Sequence, residues 1–337
     1  MRLATYNVEW FANLFDTHNH LVADDSWSGR QDVTKAEQIT ALGIVFTALD
    51  ADAIMIIEAP NTGRSQNTVA ALEQFAAAFE LRQRRAVMGF ANDTHQEIAF
   101  LYDPDALEAV HTPGGGEAAD TAGAEPPRFD QSFRIDLDVD ANEDVVTFSK
   151  PPLELTVTTR KGTEVCLIGA HLKSKAPHGA RNADHVMRLS IANRRKQLAQ
   201  AIWLRGRIAA RLAEGRSVIL LGDLNDGPGL DDYENLFQRS SVEILLGEQM
   251  FDPHARQALQ RRLGAAPTSA RFRLAGEEKY LSALLDYIMV SPALMERHPA
   301  WRIWHPFDDL RCWRVPELRD ALLTASDHFP VTLDIDI

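Results

Sequence analysis

Apolar, strand-like stretches of this chain repeatedly end in acids, amides and histidines. LATYN ends at Asn7, with Glu9 two positions on. AIMIIE ends at Glu58, CLIGAH ends at His171, and VILLGDLN ends on Asp223 and Asn225. ALLD presents Asp286 at the start of YIMV, and SDH places Asp327 and His328 before FPVTLDI. A carboxylate beside a buried strand is costly unless it is paired or bound to a metal. Strands from distant parts of the chain that end in such groups can converge on one site at a sheet edge. Carboxylates and amides suit a hard cation, Mg2+ or Mn2+, with Ca2+ as a further option. Two histidines and an Asp-Xaa-Asn beside that cation suit hydrolysis at phosphorus. A carboxylate takes a proton from water, an amide orients that water, and cations and imidazoles neutralise the phosphoryl oxygens.

The elements that must hold these groups can be read from pattern. Residues 2–8 form a short strand. The spacing of Ala36, Ile39, Leu42, Val45, Phe46 and Leu49 predicts a helix. DAIMIIE is a continuous apolar run, as in a strand buried on both faces. A second helix covers SQNTVAALEQFAAAFE, with Ser65 as its N-cap. HQEIAFLYDP is a strand, and residues 112–127, rich in Gly, Ala and Pro, are expected to be a mobile hairpin tip. LELTVTT and EVCLIGAHL, joined by RKG, are expected to pair as a hairpin. A long helix fills most of 184–214. Strands and helices are interspersed, which predicts an α/β fold in one domain, residues 1–337, with helices outside a pair of mixed sheets.

The bulk numbers fit this. Hydrophobic content is 45% and charged content 25% of 337 residues, ordinary for a soluble globular protein. No stretch is apolar enough to span a membrane. The N-terminus lacks the apolar segment of a leader, so a cytoplasmic location is expected, with secretion the alternative if a leader is removed. The two cysteines, Cys166 and Cys312, are too few for a disulfide framework or a thiolate cage. The net charge of -13 argues against nucleic-acid binding through a broad basic surface. It does not argue against a nuclease, because bound cations reverse the local field of a carboxylate site.

TYNVEWF, IMIIE, GAHLKSK, GDLNDGP, LDYIMVSP and SDHFPV occur in the order of the endonuclease/exonuclease/phosphatase superfamily, which the chain resembles from Asn7 to His328. The resemblance implies a four-layer α/β/β/α sandwich, two mixed and mostly antiparallel sheets packed face to face with helices outside. It implies a metal-dependent phosphoester hydrolase. Glu58 resembles the principal metal-binding carboxylate, and Asn7 and Glu9 the first-strand pair that supports metal and phosphate. Asp223 resembles the residue that activates water and Asn225 the one that orients it. His328 resembles the imidazole on the scissile phosphate, with Asp286 as its partner, and Asp327 a further metal carboxylate. His171 matches the histidine of the deoxyribonuclease and sphingomyelinase branches. Lys173 and Lys175 could grip phosphate or belong to a solvated loop. Two positions depart from the pattern. Glu9 stands where abasic endonucleases carry Asp. Pro151 stands where the deoxyribonuclease has the glutamate that supports the histidine, so His171 has another partner or none.

The expected substrate is a phosphodiester, with nucleic acid favoured and no protein partner implied. A small-molecule or lipid-headgroup phosphodiesterase or phosphatase is the alternative. A catalytically inactive binding module would have shown itself by loss of Asp223, Asn225, His328 or Glu58, and all four are present. A scaffold holding a structural Ca2+ is a further reading of another class. The arginine-rich helix is expected to present a solvated outer face. The loops at 13–33, 174–185 and 305–325 are expected to line the cleft.

Overall fold

The computed structural model describes residues 1–94, 96–116, 125–136, 144–177, 179–228, 237, 239–260, 266–274 and 279–337. Residues 117–124 of the expected hairpin tip, and His178, lie outside the described residues.

Two sheets form the centre. The first contains β1 (Arg2–Asn7), β2 (Ala53–Ala59), β3 (Arg85–Met88), β4 (Glu97–Tyr102), β14 (Ala300–Ile303) and β15 (Val331–Asp334), in the order β14-β15-β1-β2-β4-β3. The second contains β5 (Leu107–His111), β8 (Leu153–Thr159), β9 (Glu164–His171), β10 (Val218–Asp223) and β13 (Asp286–Val290), in the order β13-β10-β9-β8-β5. Only β1–β2 and β9–β10 pair in parallel; the other neighbours are antiparallel. Two small hairpins stand apart: β6 (Ser132–Ile135) with β7 (Asp144–Thr147), and β11 (Ala270–Arg273) with β12 (Tyr280–Ala283).

Strand alternation sorts the side chains into layers. Leu3, Met55 and Ile57 of the first sheet pack against Leu167, Ile219, Leu221 and Ile288 of the second. The opposite face of the first sheet carries Ala4, Tyr6, Ile54 and Ile56. It is covered by α1 (Lys35–Leu49), α2 (Thr68–Ala78) and Pro316–Ala325 through Leu42, Phe46, Phe75 and Leu322. The outer face of the second sheet, with Ile168, Leu220 and Met289, packs on α3 (Ala183–Ala213) and α4 (Ser241–Leu246) through Trp203, Leu204, Ile208, Val242 and Leu245. The fold is therefore the expected four-layer sandwich. Among the described residues no helix is long and apolar enough to cross a membrane.

Two local expectations are corrected. The N-cap of α2 is Asn67, whose side chain accepts the Ala70 amide, and not Ser65. The arginines of α3 do not all lie on a solvated face. Arg194, Arg207 and Arg211 are buried, because carboxylates from elsewhere reach under the helix. Arg194 Nη1 lies 3.1 Å from Asp226, Arg207 Nε 3.4 Å from Glu154, and Arg211 Nη2 3.0 Å from Glu125. Burying these cations unpaired would cost several kcal/mol each, roughly the desolvation penalty of an ion.

Candidate active site

The inward rows of both sheets run out of hydrocarbon at one edge. Asn7 continues the row of Leu3. His171 continues that of Leu167, Asp223 that of Leu221, and Asp286 that of Ile288. Register sets Asp223 beside His171 on one neighbouring strand and beside Asp286 on the other. Gly222 makes this closeness possible: its φ is +139, and a Cβ there would lie 2.0 Å from the Ala170 carbonyl oxygen. Glu58 follows an inward residue, so plain alternation would send it outward. Instead the β2–β4 register shifts between Ile57 and Ala59, and Glu58 adopts φ +61, which turns its carboxylate into the cleft. Asn225 (φ +49) and Trp10 (φ +62) are also in the left-handed region, strain that concentrates at functional sites.

Asp223 is at the centre and is 1% exposed. Its Oδ1 accepts the Asn225 amide at 2.8 Å. Its Oδ2 accepts from Asn7 Nδ2 at 3.0 Å and Asn225 Nδ2 at 3.2 Å. The same oxygen is 3.6 Å from His171 Nε2 and 3.9 Å from His328 Nε2. Burial, aided by Asp286 and opposed by His328, raises the Asp223 carboxyl to about 7. His328 Nδ1 donates to Asp286 Oδ2 at 2.8 Å. Burial works against charge on this ring, but Asp286 and Asp223 outweigh it and hold His328 well above the ordinary histidine range. Its Nε2 lies 3.9 Å from Asp223 Oδ2 and 4.0 Å from Asp327 Oδ1.

His171 has the opposite character. Its Nδ1 lies 3.1 Å from Lys150 Nζ. An ammonium only donates, so Nδ1 accepts and Nε2 carries the proton. Burial, then the Lys150 charge, holds His171 well below its ordinary value. Lys150 thus takes the place of the partner that Pro151 does not supply. Its Nζ also lies 3.9 Å from Glu58 Oε1. Glu58 Oε2 accepts Gln96 Nε2 at 2.5 Å. Burial raises the Glu58 carboxyl, while Lys150 and His328 counter it.

Glu9 and Lys175 line the same cavity, but their charged groups are engaged. Glu9 pairs with Arg30 through Oε2 and accepts Trp10 Nε1 at 2.9 Å through Oε1. Lys175 Nζ lies 2.7 Å from the buried Asp226. Lys173 also lines the cavity. Of the three loops expected around the cleft, only residues 174–176 among the described residues reach the cavity of about 1060 Å³. The segment at 30 is held to Glu9, and Phe307 packs behind the β11–β12 hairpin through Arg271. That hairpin forms the wall instead, with Phe272, Leu274, Leu281 and Ala283.

Four contributors are not evident from the strand-end pattern: Lys150, Gln96, Ser269 and the hairpin. Lys150 has a sequence signal in FSKPP, directly before the departure at Pro151. Gln96 stands one residue before the partner of Ala59 across the β-bulge. Ser269 has no local signal. It is buried, donates to Asp286 Oδ2 at 2.8 Å, and accepts the Leu285 and Asp286 amides at 3.0 and 2.9 Å. It therefore orients the carboxylate that orients His328. Ser269→Ala is expected to lower kcat about tenfold with KM nearly unchanged, the usual size of an outer-shell loss. Steady-state kinetics on a phosphodiester would check this, and an unaltered kcat would remove the role.

A fold of two facing mixed sheets with helices around them, with carboxylates, amides and imidazoles gathered at one edge, is an α/β sandwich of the deoxyribonuclease type. Residues 4–328 match the endonuclease/exonuclease/phosphatase family, and the chain belongs to it. No curated protein sequence matches the chain. Among solved structures it is similar to an AP endonuclease from Archaeoglobus fulgidus, with 12% identity, TM-score 0.53 and 100% of both chains covered. An endonuclease/exonuclease/phosphatase family protein from Bacteroides thetaiotaomicron gives 14% identity and TM-score 0.52, over 99% of this chain and 97% of that one. A D. rerio TDP2 complexed with a single-strand DNA product gives 13% identity and TM-score 0.50, over 100% of this chain and 99% of that one. At these identities the likeness concerns the fold.

Proposed function

We propose that the protein is a metal-dependent phosphodiesterase in which Asp223 takes a proton from the water that attacks phosphorus. The observation that carries this is the convergence on Asp223 Oδ2 of Asn7, Asn225, His171 and His328 within 3.9 Å. A carboxylate raised to about 7 is matched to accepting a proton near neutral pH. Asn225 orients the water. The His328 imidazolium and the His171 Nε2–H donate to the phosphoryl oxygens, with Asp286 holding His328. Lys150 and Lys173 add positive charge on the same side.

The donor set fits a hard cation. Asn7 Oδ1 and Asp327 Oδ1 are buried acceptors with no hydrogen-bond partner, and Glu58 Oε1 lies 3.9 Å from Lys150 Nζ and 4.0 Å from His171 Nε2. These residues would hold Mg2+ or Mn2+, with Ca2+ as the less constrained option. Glu9, with both oxygens engaged, is assigned to holding Trp10 and Arg30 beside the site. Asp223, Asp286 and His328 each bring one ligand atom within 4.8 Å of the others. The 2.8 Å bond between His328 and Asp286 supports reading this group as an oriented imidazole. When bound, the cation supplies charge stabilisation at the phosphoryl and leaving oxygens.

Nucleic acid is the substrate class we favour, in line with the AP endonuclease and the DNA-bound TDP2 among the similar structures. A small phosphodiester with an apolar alcohol is the second reading, favoured by the hydrocarbon on the β11–β12 wall. A panel of single- and double-stranded DNA, RNA, sphingomyelin, inositol phosphates and bis(p-nitrophenyl) phosphate separates them. Turnover is expected with Mg2+ or Mn2+ and not after chelation. Turnover that survives chelation, or none on any ester with folded protein, would overturn the reading.

A further inference from the structure

The segment after β14 turns large apolar side chains into solvent, and neither the core nor the proposed chemistry uses them. Phe307 is 40% exposed, Leu310 63% and Trp313 47%. They recur at every third residue, which sets them on one side of the short helix Leu310–Trp313. The rings of Phe307 and Trp313 have their centroids 6.2 Å apart. The row continues onto the β11–β12 hairpin. The Arg271 guanidinium lies 3.7 Å from the Tyr280 ring and 5.2 Å from the Phe307 ring, and Tyr280 is also exposed. Three exposed rings therefore stand in file, with a cation between two of them.

The charges beside this file are unevenly matched. Asp308 meets His305 at 3.2 Å, Asp309 pairs with Arg302, and Asp320 meets Arg319 at 2.9 Å. Glu317 is the exposed acid that remains. Arg311 and Arg314 are exposed on the same turn as Trp313. Among the described residues, no side chain pairs with the guanidinium of Arg311, Arg314 or Arg273. Arg273 stands opposite Tyr280 in the hairpin register, and it also lines the catalytic cavity. The file thus starts at the mouth of the cavity and leads away from it over Tyr280 and Phe307 to Trp313.

We propose that Tyr280, Phe307 and Trp313, with Arg311 and Arg314, form a track for single-stranded nucleic acid that runs out of the cavity. The proposal rests on the nucleic-acid reading of the site and adds where the chain goes beyond the bond that is cut. Bases stack on exposed rings whatever their sequence, and guanidinium groups between the rings meet the phosphates. A lipid surface could cover Leu310 and Trp313, but it has no use for a cation held between two rings or for a path into a phosphate-binding cavity. The net charge of -13 disfavours binding through a broad basic surface. A track that works mainly by stacking, with a few local cations, does not need one.

Fluorescence anisotropy tests this with labelled oligothymidylate and oligouridylate of about twelve nucleotides, and with the thymidine dinucleotide, under chelation so that nothing is cut. Hydrolysis of bis(p-nitrophenyl) phosphate with Mg2+, a substrate too short to leave the cavity, is measured alongside. Trp313→Ala is expected to weaken the long strands about tenfold, the scale of one stacked base. It should leave the dinucleotide and the hydrolysis unchanged, and Trp313→Phe should keep the parent affinity. Trp313 lies largely in solvent, so the melting temperature should hold in both. Replacing Arg311 and Arg314 together by Ala should lower the slope of log affinity against log salt by about 1.4, two phosphate contacts on a single strand. Tighter binding of one long strand than the other supports the track and identifies DNA or RNA as the source. Long-strand affinity that survives Trp313→Ala, with hydrolysis intact, overturns the track alone. So does Trp313-dependent capture by phosphatidylglycerol vesicles without any effect on the strands, which assigns the surface to a membrane. Hydrolysis with no binding of any strand overturns the nucleic-acid reading and the track. No binding and no hydrolysis by folded protein overturns the phosphoesterase reading as well.

Discussion

Asp223→Asn is expected to lower kcat/KM for a phosphodiester about ten-thousand-fold, the upper range for loss of a positioned general base. The substitution keeps the size of the side chain and can still accept from Asn7, so the strand end should keep its shape. What it removes is the carboxylate that takes the proton. Melting temperature near that of the parent would show that the loss is chemical. The pH profile carries a second signature. Burial raises Asp223 to about 7, so the ionised, proton-accepting form is lost as pH falls through that value. The rate should drop tenfold per unit below about 7 and level off above it, with a cation on Glu58 drawing the limb to lower pH. The Asn variant should lose the limb. A variant within tenfold of the parent, or one that keeps the limb, would assign the base to another group.

His328→Gln is expected to cost about a thousandfold in kcat, in the range for removing one charge-stabilising donor. Glutamine can donate to Asp286 Oδ2 but carries no positive charge. The comparison with His328→Ala therefore separates charge from shape. Equal losses in the two variants are expected, because Asp286 and Asp223 favour the charged form of His328 and the proposed mechanism uses that charge on the phosphate. Rescue of most of the rate by Gln would show that orientation matters and charge does not. His171→Gln should cost less, since a neutral Nε2–H donor is replaced by a neutral amide.

The sequence exposes the strand ends clearly, because an acid or imidazole next to buried hydrocarbon is a local contradiction. Asn7, Glu58, His171, Asp223, Asp286 and His328 all meet at one edge for that reason. The direction of Glu58 is not local: alternation alone points it outward, and only the bulge against β4 turns it in. Nor are the partners local. Lys150 reaches His171, Gln96 reaches Glu58, Ser269 reaches Asp286 and Arg30 reaches Glu9, each across 17 to 38 residues of chain. The same reason hides the buried arginines of α3, whose run of cations looks solvated until Asp226, Glu154 and Glu125 arrive beneath it. Hairpin β11–β12 is not evident in the sequence because its cavity face, Phe272, Leu281 and Ala283, is spread over two short, weakly patterned segments.

Asp223-driven attack of water at phosphorus is tested most directly by hydrolysing bis(p-nitrophenyl) phosphate with the Mg2+-loaded protein in water enriched in heavy oxygen. Mass spectrometry should find one heavy oxygen per bond broken on the phosphate product and none in the released phenol. Heavy oxygen in the phenol, or a phosphate product without it, would contradict the account.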